Sequence, residues 1–278
     1  MDTMFLNKNI VITGASSGLG AALAKELASH KPNLILFSRN IDKLKEAAKF
    51  CNEKGANVIS VQGDVTKLED CKRLVETTIN NFGSVDHLVL NAGISMWAKF
   101  DEVTDLSLFQ KLIETNYLSA VRLVHLFLPY LKKSKGLITA ISSIQGEIAV
   151  PYHSGYVASK HALTGFLNTL RMELSAKGGS VGKDKGVDVM LVKPHWLRGT
   201  DLRKNAFDKN GNKIGETKKE HSKESISLQE CSRKILKGMV NRKRELVIPG
   251  KLKLLTILSL LLPNLAEKIV LGKLNEQE

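Results

Sequence analysis

The sequence predicts an α/β protein built on a doubly wound parallel sheet of about seven strands, with helices on both faces. Short apolar runs of strand length alternate with amphipathic, helix-length segments from residue 9 onward, and such alternation builds parallel sheets with crossover helices. The first strand-to-helix turn carries the glycine pattern TGxxxGxG at residues 13–20. The 278 residues, 43% of them hydrophobic, suffice for one sizeable core and do not demand a second. One unit is therefore expected over residues 1–250, with a C-terminal helical extension over 251–278.

The run NIVITGASSGLGAALAKELASH reads as a strand, a glycine turn and a helix with Leu19, Leu23 and Leu27 on one face. Glycines in that position let the backbone approach a pyrophosphate, and the helix N-terminus behind them offers free N–H groups and a favourable dipole. Gly14, Ser16, Ser17, Gly18, Leu19 and Gly20 are the candidate cradle. The next strand, NLILFS, ends at Ser38-Arg39-Asn40, about twenty residues beyond the last glycine, where an acidic residue would bind the ribose 2′-hydroxyl of NAD. An arginine stands there instead. Arg39 can pair with a 2′-phosphate, so NADP(H) is the expected cofactor.

A helix over 41–54, the strand NVISVQ, a helix over 67–82 and the strand HLVLNAG continue the alternation. Asp64-Val65 and Asn91-Ala92-Gly93 fall at strand carboxyl ends, where open α/β sheets bind ligands. A long helix is expected over 106–132 with Asn116 near its middle. Asn inside a helix is a mildly unfavourable choice, usually on the surface, and composition alone leaves that reading open. The apolar run GLITAISS reads as a buried strand ending at Ser143, with Ser142 the alternative hydroxyl.

Thirteen residues on, Tyr156 and Lys160 are four apart at the start of a helix over 156–174 and share one face. A phenol titrates near ~10 and is a poor acid/base at neutral pH. An ammonium one turn away favours the phenolate, so Lys160 is expected to lower the Tyr156 pKa.

TGASSGLG at 13–20, NAG at 91–93, Asn116, Ser143 and YxxxK at 156–160 together resemble the short-chain dehydrogenase/reductase family, in order and with its usual spacing. The resemblance covers about residues 8–200. It implies a Rossmann-type fold, hydride transfer between a nicotinamide and a carbonyl or alcohol carbon, and a catalytic set of Asn116, Ser143, Tyr156 and Lys160. It further implies that Asp64 and Val65 border the adenine and that Asn91, Ala92 and Gly93 line the cofactor cleft. Lys160 would also bind the nicotinamide ribose, and Asn116 would hold a water connecting Lys160 to solvent. On the nicotinamide side the family has Pro-Gly and a Thr five residues after the Pro; here His195 replaces the glycine and Thr200 is six residues after Pro194, with Leu197 between them.

Residues 201–227 are lysine-rich and polar, with Asn210-Gly211 as a hairpin signal. Together with 195–200 they are expected to form a mobile substrate lid. DKNGNK at 208–213 fails as a calcium loop because Lys213 stands at position six, where the turn needs glycine, and Lys219 at position twelve, where the carboxylate ligand belongs, and no metal site is expected. A helix over 228–241 and a strand ELVIP precede the tail. Its uncharged run, Leu254–Leu262, follows Arg242, Lys243, Arg244, Lys251 and Lys253. Nine residues cannot span a bilayer. An interfacial helix with basic anchors and a helix covering the pocket or a subunit interface are both open. Tails of membrane-associated hydroxysteroid-dehydrogenase-like and lipid ketone reductases of the family look similar, which implies a lipophilic substrate. The alternatives are a small soluble ketone or 3-oxoacyl substrate, or a cofactor-binding scaffold without turnover.

Cys51, Cys71 and Cys231 are odd in number and far apart, which fits a reducing, cytoplasmic setting. The first nine residues hold no apolar run of signal or anchor length. A net charge of +13 favours an anionic partner, cofactor or lipid surface. The positive residues are dispersed, without a nucleic-acid-binding motif. A homodimer or homotetramer is expected.

Overall fold

In the computed structural model, residues 4–174, 186–215 and 225–275 are described. The first half is a strict alternation: β1 (Asn9–Thr13), α1 (Gly18–Ala28), β2 (Asn33–Ser38), α2 (Ile41–Glu53), β3 (Asn57–Gln62), α3 (Leu68–Phe82) and β4 (His87–Leu90). Next come α4 (Ser107–Ile113), a π turn (Glu114–Leu118), α5 (Ser119–Ser134), β5 (Leu137–Ile141), α6 (Ser154–Leu174) and β6 (Asp188–Pro194). A two-residue strand β7 (Leu197–Arg198) pairs with β8 (Ile226–Ser227); α7 (Leu228–Val240), β9 (Glu245–Ile248), α8 (Lys253–Leu261) and α9 (Pro263–Asn275) complete the chain.

Seven strands form one parallel sheet in the order β3-β2-β1-β4-β5-β6-β9. Successive strand residues serve opposite faces, as the pleat requires. Ile10, Ile12, Leu34 and Leu36 pack with α1, α2 and α7, whereas Val11, Ile35 and Phe37 pack with α3, α5 and α6. Both faces are dry, which is why these strands read as continuous apolar runs. The order reverses at β1 and β4, and the carboxyl ends there open into a crevice.

The expected helix over 106–132 is present but interrupted by the π turn, and Asn116 sits in that turn with 2% exposure. A surface role is excluded for it. Residues 195–215 are also more tightly held than a loose lid. Phe207 bridges Met96 and Lys213; its N–H donates to Ser95 O, and its carbonyl accepts from Trp97 N, both at 2.9 Å. The turn at Asn210-Gly211 forms as expected, with the Asp208 carboxylate accepting from the N–H groups of Asn210 and Asn212. Thr104 then bonds Lys209 and Asn210. Residues 216–224 of the expected lid lie outside the described residues.

The apolar tail is two helices, because Pro263 suits the first position of a new helix and not the interior of an old one. Leu252, Leu255 and Val270 cover Ile144 and Ile148 in the loop after β5. Among the described residues no helix is long and apolar enough to cross a membrane.

Candidate active site

A cleft of about 870 Å³ runs along the carboxyl ends of the sheet. One half is walled by Gly14, Ser16, Ser17, Gly18, Leu19, Ser38, Arg39, Asn40, Asp64, Val65, Asn91, Ala92 and Gly93. Gly14 turns the chain at φ +64° and has no room for a side chain, since a Cβ would lie 3.0 Å from Ala92 Cα. The Ser17 side chain does not cap α1, so no side chain claims the N–H groups of its first turn. Ser16 and Ser38 hydroxyls pair at 2.7 Å and tie the glycine turn to the end of β2. Asn40 caps α2 by accepting from Lys43 N–H, while the exposed Arg39 extends along the rim. These features fit a dinucleotide with its phosphates at the α1 N-terminus and a further anionic group near Arg39.

Gly20 does not line the cleft. A Cβ on it would sit 2.3 Å from the Gly14 carbonyl oxygen and 2.5 Å from Asn91 Nδ2, so it is glycine because α1 begins hard against the turn. Asp64 borders the cleft, but its Oδ1 is engaged by the N–H and hydroxyl of Thr66. Lys43, which the sequence reading passed over, joins Arg39 at this end.

Further along the cleft, the end of β5 and the start of α6 bring Ser143, Tyr156 and Lys160 together, all buried and all facing the same space. The Ser143 hydroxyl lies beside the Tyr156 phenol and acts to lower its pKa, while it accepts from Gln145 N at 3.2 Å and faces Pro194 O at 3.5 Å; Ser142 turns away to Thr164 at 3.1 Å. The choice between the two serines is thereby made for Ser143. Lys160 Nζ donates to Ile141 O at 2.9 Å and lies 5.6 Å from the Tyr156 ring centroid.

Burial pushes the phenol up to about 12, and the Ser143 hydrogen bond opposes this. The expectation that Lys160 lowers the phenol pKa is not met here, because its ammonium is directed at a backbone carbonyl. Burial also brings the Lys160 ammonium down to about 8. At neutral pH Tyr156 is a protonated phenol.

Asn116 does not face the cleft. Its Nδ2 donates to Ile94 O and Ser159 Oγ, both at 2.9 Å, and its Oδ1 accepts from Ile94 N at 2.8 Å. Both amide hydrogens are used inside the protein, while Oδ1 keeps a second lone pair beyond the bond from Ile94 N. These bonds fasten the loop after β4 to α6 one residue before Lys160.

The remaining wall comes from the loops after β4 and β6 and the start of α6. Pro194, His195, Trp196, Leu197 and Thr200 line the cleft as anticipated. Gly199 at φ +83° turns the lengthened loop so that Thr200 Oγ1 faces Leu197 O. Opposite stands an aromatic cluster: Trp97 and Trp196 have centroids 6.3 Å apart, and His153 is 4.8 Å from Trp97 and 6.3 Å from Tyr156. His153 Nδ1 donates to Pro151 O at 2.9 Å, and burial brings its pKa down to about 4. A signal was present: both tryptophans of the chain directly follow strand-end motifs, NAGISMW and KPHW.

A phosphate-cradling glycine turn and a hydroxyl, phenol and ammonium in the same cleft define an oxidoreductase of the nicotinamide-dinucleotide type. The chain belongs to the short-chain dehydrogenase/reductase family, whose model, described as short chain dehydrogenase, matches residues 8–211. It is 34% identical over 265 residues to 11-beta-hydroxysteroid dehydrogenase 1A of Arabidopsis thaliana, covering 94% of this chain and 73% of that protein. To 11-beta-hydroxysteroid dehydrogenase-like 4A of the same plant it is 34% identical, covering 93% and 82%. An alcohol dehydrogenase from the archaeon Thermococcus sibiricus, solved with 5-hydroxy-NADP, superposes with a TM-score of 0.70 at 25% identity, covering 86% of this chain and 95% of that one. A short chain dehydrogenase/reductase from Burkholderia phymatum with NAD shares the fold, at a TM-score of 0.78 and 21% identity over 92% and 93% of the two chains.

Proposed function

We propose that the protein is an NADP(H)-dependent reductase of a lipophilic ketone, with hydride transfer to the carbonyl carbon as its reaction. The observation that carries this is the convergence of Ser143, Tyr156 and Lys160 in the cleft that begins at the glycine turn. The bound cofactor supplies the hydride. Ser143 donates to the carbonyl oxygen, so that charge developing there meets a fixed donor. Tyr156, held protonated by burial, delivers the proton to that oxygen, and Lys160 provides positive charge behind it and a donor to the cofactor ribose. Asp64 and Val65 bracket the adenine. Arg39 and Lys43 favour a 2′-phosphate, and the hydroxysteroid-dehydrogenase names of the relatives support an apolar, ring-sized substrate.

Loss of nicotinamide absorbance with a panel of ring and chain ketones tests the activity. NADPH should exceed NADH at least about tenfold in kcat/KM, which is roughly 1.4 kcal/mol and modest for one charge-assisted phosphate contact. Tyr156→Phe should remove turnover and leave NADPH binding intact. A phenylalanine variant that keeps most of its activity sinks the assignment, and a wild type that binds NADPH but reduces nothing points to the scaffold reading.

A second reading concerns location. Leu254, Leu260 and Leu261 are 71%, 82% and 73% exposed, and Arg242, Lys243, Arg244, Lys251 and Lys253 precede or adjoin them. We propose that α8 and α9 rest on an anionic lipid surface from the cytoplasmic side. Among the described residues none beyond 213 lines the cleft, which weighs against the tail as a pocket cover. A self-associating dimer or tetramer is the competing use of the same leucines, and sedimentation with and without vesicles distinguishes them.

A further inference from the structure

One charged group in the cleft has no part in the proposed chemistry. Arg203 is partly buried, with Cζ 5.0 Å from the Trp97 ring centroid and 5.8 Å from that of Trp196. No hydrogen bond or ion pair joins its guanidinium to a described residue. The acidic neighbours in the wall are engaged or remote: Glu114 pairs with Arg122, Asp64 with Thr66, and Asp201 makes no ion pair with it. Burial is the sole cause that lowers its pKa, with no carboxylate acting on it.

The two indole faces compensate part of the lost hydration of the guanidinium. They accept none of its five N–H donors in the plane, and a partly buried cation with unmatched donors is costly to keep. The surroundings are otherwise apolar: Met96, Ala206 and Phe207 belong to the same wall. His153 neighbours both this shelf and the phenol, its ring 6.0 Å from Trp196 and 6.3 Å from Tyr156. Lys213, exposed at the rim, adds positive potential and no carboxylate.

We infer that Arg203 is a specificity-determining residue, taking a carboxylate carried at the far end of an otherwise apolar ketone whose body lies on Trp97 and Trp196. The planar fork of arginine matches a carboxylate with two parallel hydrogen bonds, and stacking on the indoles fixes the plane of that fork. The substrate class is thus narrowed from a lipophilic ketone to a lipophilic oxo acid. The inference rests on the ketone reductase reading for what happens at the other end of the molecule.

Trp97 and Trp196 are the two tryptophans of the chain, so intrinsic fluorescence reports on this shelf alone. The full-length protein, saturated with oxidised cofactor so that no reduction occurs, is titrated with dehydrocholate and para-acetylbenzoate and with their methyl esters. Each acid should bind about tenfold or more tighter than its ester, the scale of a charge-assisted pair. Arg203→Gln should remove that difference while leaving ester and cofactor affinities unchanged, and Arg203→Lys should retain part of it. Equal affinity of acid and ester in the wild type, or no fluorescence response to either pair, overturns the inference. So does an Arg203→Gln variant that weakens both forms alike or weakens only the cofactor. Acid-selective binding without NADPH oxidation would instead reject the reductase reading and leave the carboxylate site standing.

Discussion

Removing the Asn116 amide should destabilise the protein more than any other single change to the catalytic set. Asn116→Ala deletes three hydrogen bonds of 2.8–2.9 Å and leaves the N–H and C=O of Ile94 unpaired in a partly buried site at the cleft wall. Ser159 Oγ keeps its bond to Tyr156 O at 2.7 Å and loses only an incoming donor. An unsatisfied buried backbone group costs about 1–3 kcal/mol; both groups here are only partly buried, so together they give about 2–3 kcal/mol, the low end of the range. For a domain of this size each kcal/mol lowers Tm by roughly 2 °C, which sets an expected loss of about 4–6 °C in a thermal melt. Asn116→Asp keeps an acceptor for Ile94 N but sets an oxygen against the Ile94 carbonyl where Nδ2 stood at 2.9 Å, and it should melt at least as low as the alanine variant. Turnover should fall in both because Lys160 follows Ser159 on α6. A melt within about 2 °C of wild type for Asn116→Ala would refute the positioning role and return the residue to the water-holding one.

Gly20→Ala should abolish NADPH binding or the fold itself, because its Cβ meets the Gly14 carbonyl at 2.3 Å; equilibrium binding and a melt separate the outcomes, and a silent variant would show the turn can give way. Arg39→Ala should erode the NADPH preference in paired kcat/KM measurements, and Lys43→Ala should add to the loss. His87 and His153 are buried neutral with pKa values brought down from 6.5 to about 4, chiefly by burial. The unfolded chain binds more protons between those values, so stability should decline as pH falls through that window, by about 3 kcal/mol per histidine at the acid end. Denaturant midpoints for His153→Gln should show a shallower decline, and an unchanged slope would contradict its burial as a neutral ring. Leu254, Leu260 and Leu261 changed together to Ser should end pelleting with anionic vesicles while the melt stays unchanged. Truncation at Pro249 is the poorer test, because it uncovers Ile144 and Ile148.

The fold class was legible because it depends on local pattern. β2 and β3 fall on NLILFS and NVISVQ as read, since a strand buried on both faces must be apolar throughout. The glycine turn, Ser143 and the Tyr156–Lys160 pair were also legible, because one strand end or one helix face fixes their spacing. Tertiary structure decided what depends on partners distant in sequence. Whether Asn116 faces water or the interior is settled by Ile94 and Ser159, more than twenty residues away on either side. That Gly20 must be glycine is a packing requirement set by Asn91 and Gly14. The Tyr156 phenol is governed by burial, which an i,i+4 spacing cannot reveal. The shelf of Trp97, Trp196 and Arg203 joins the ends of β4 and β6 to the segment beyond β7, and only the closing of the sheet brings those three together.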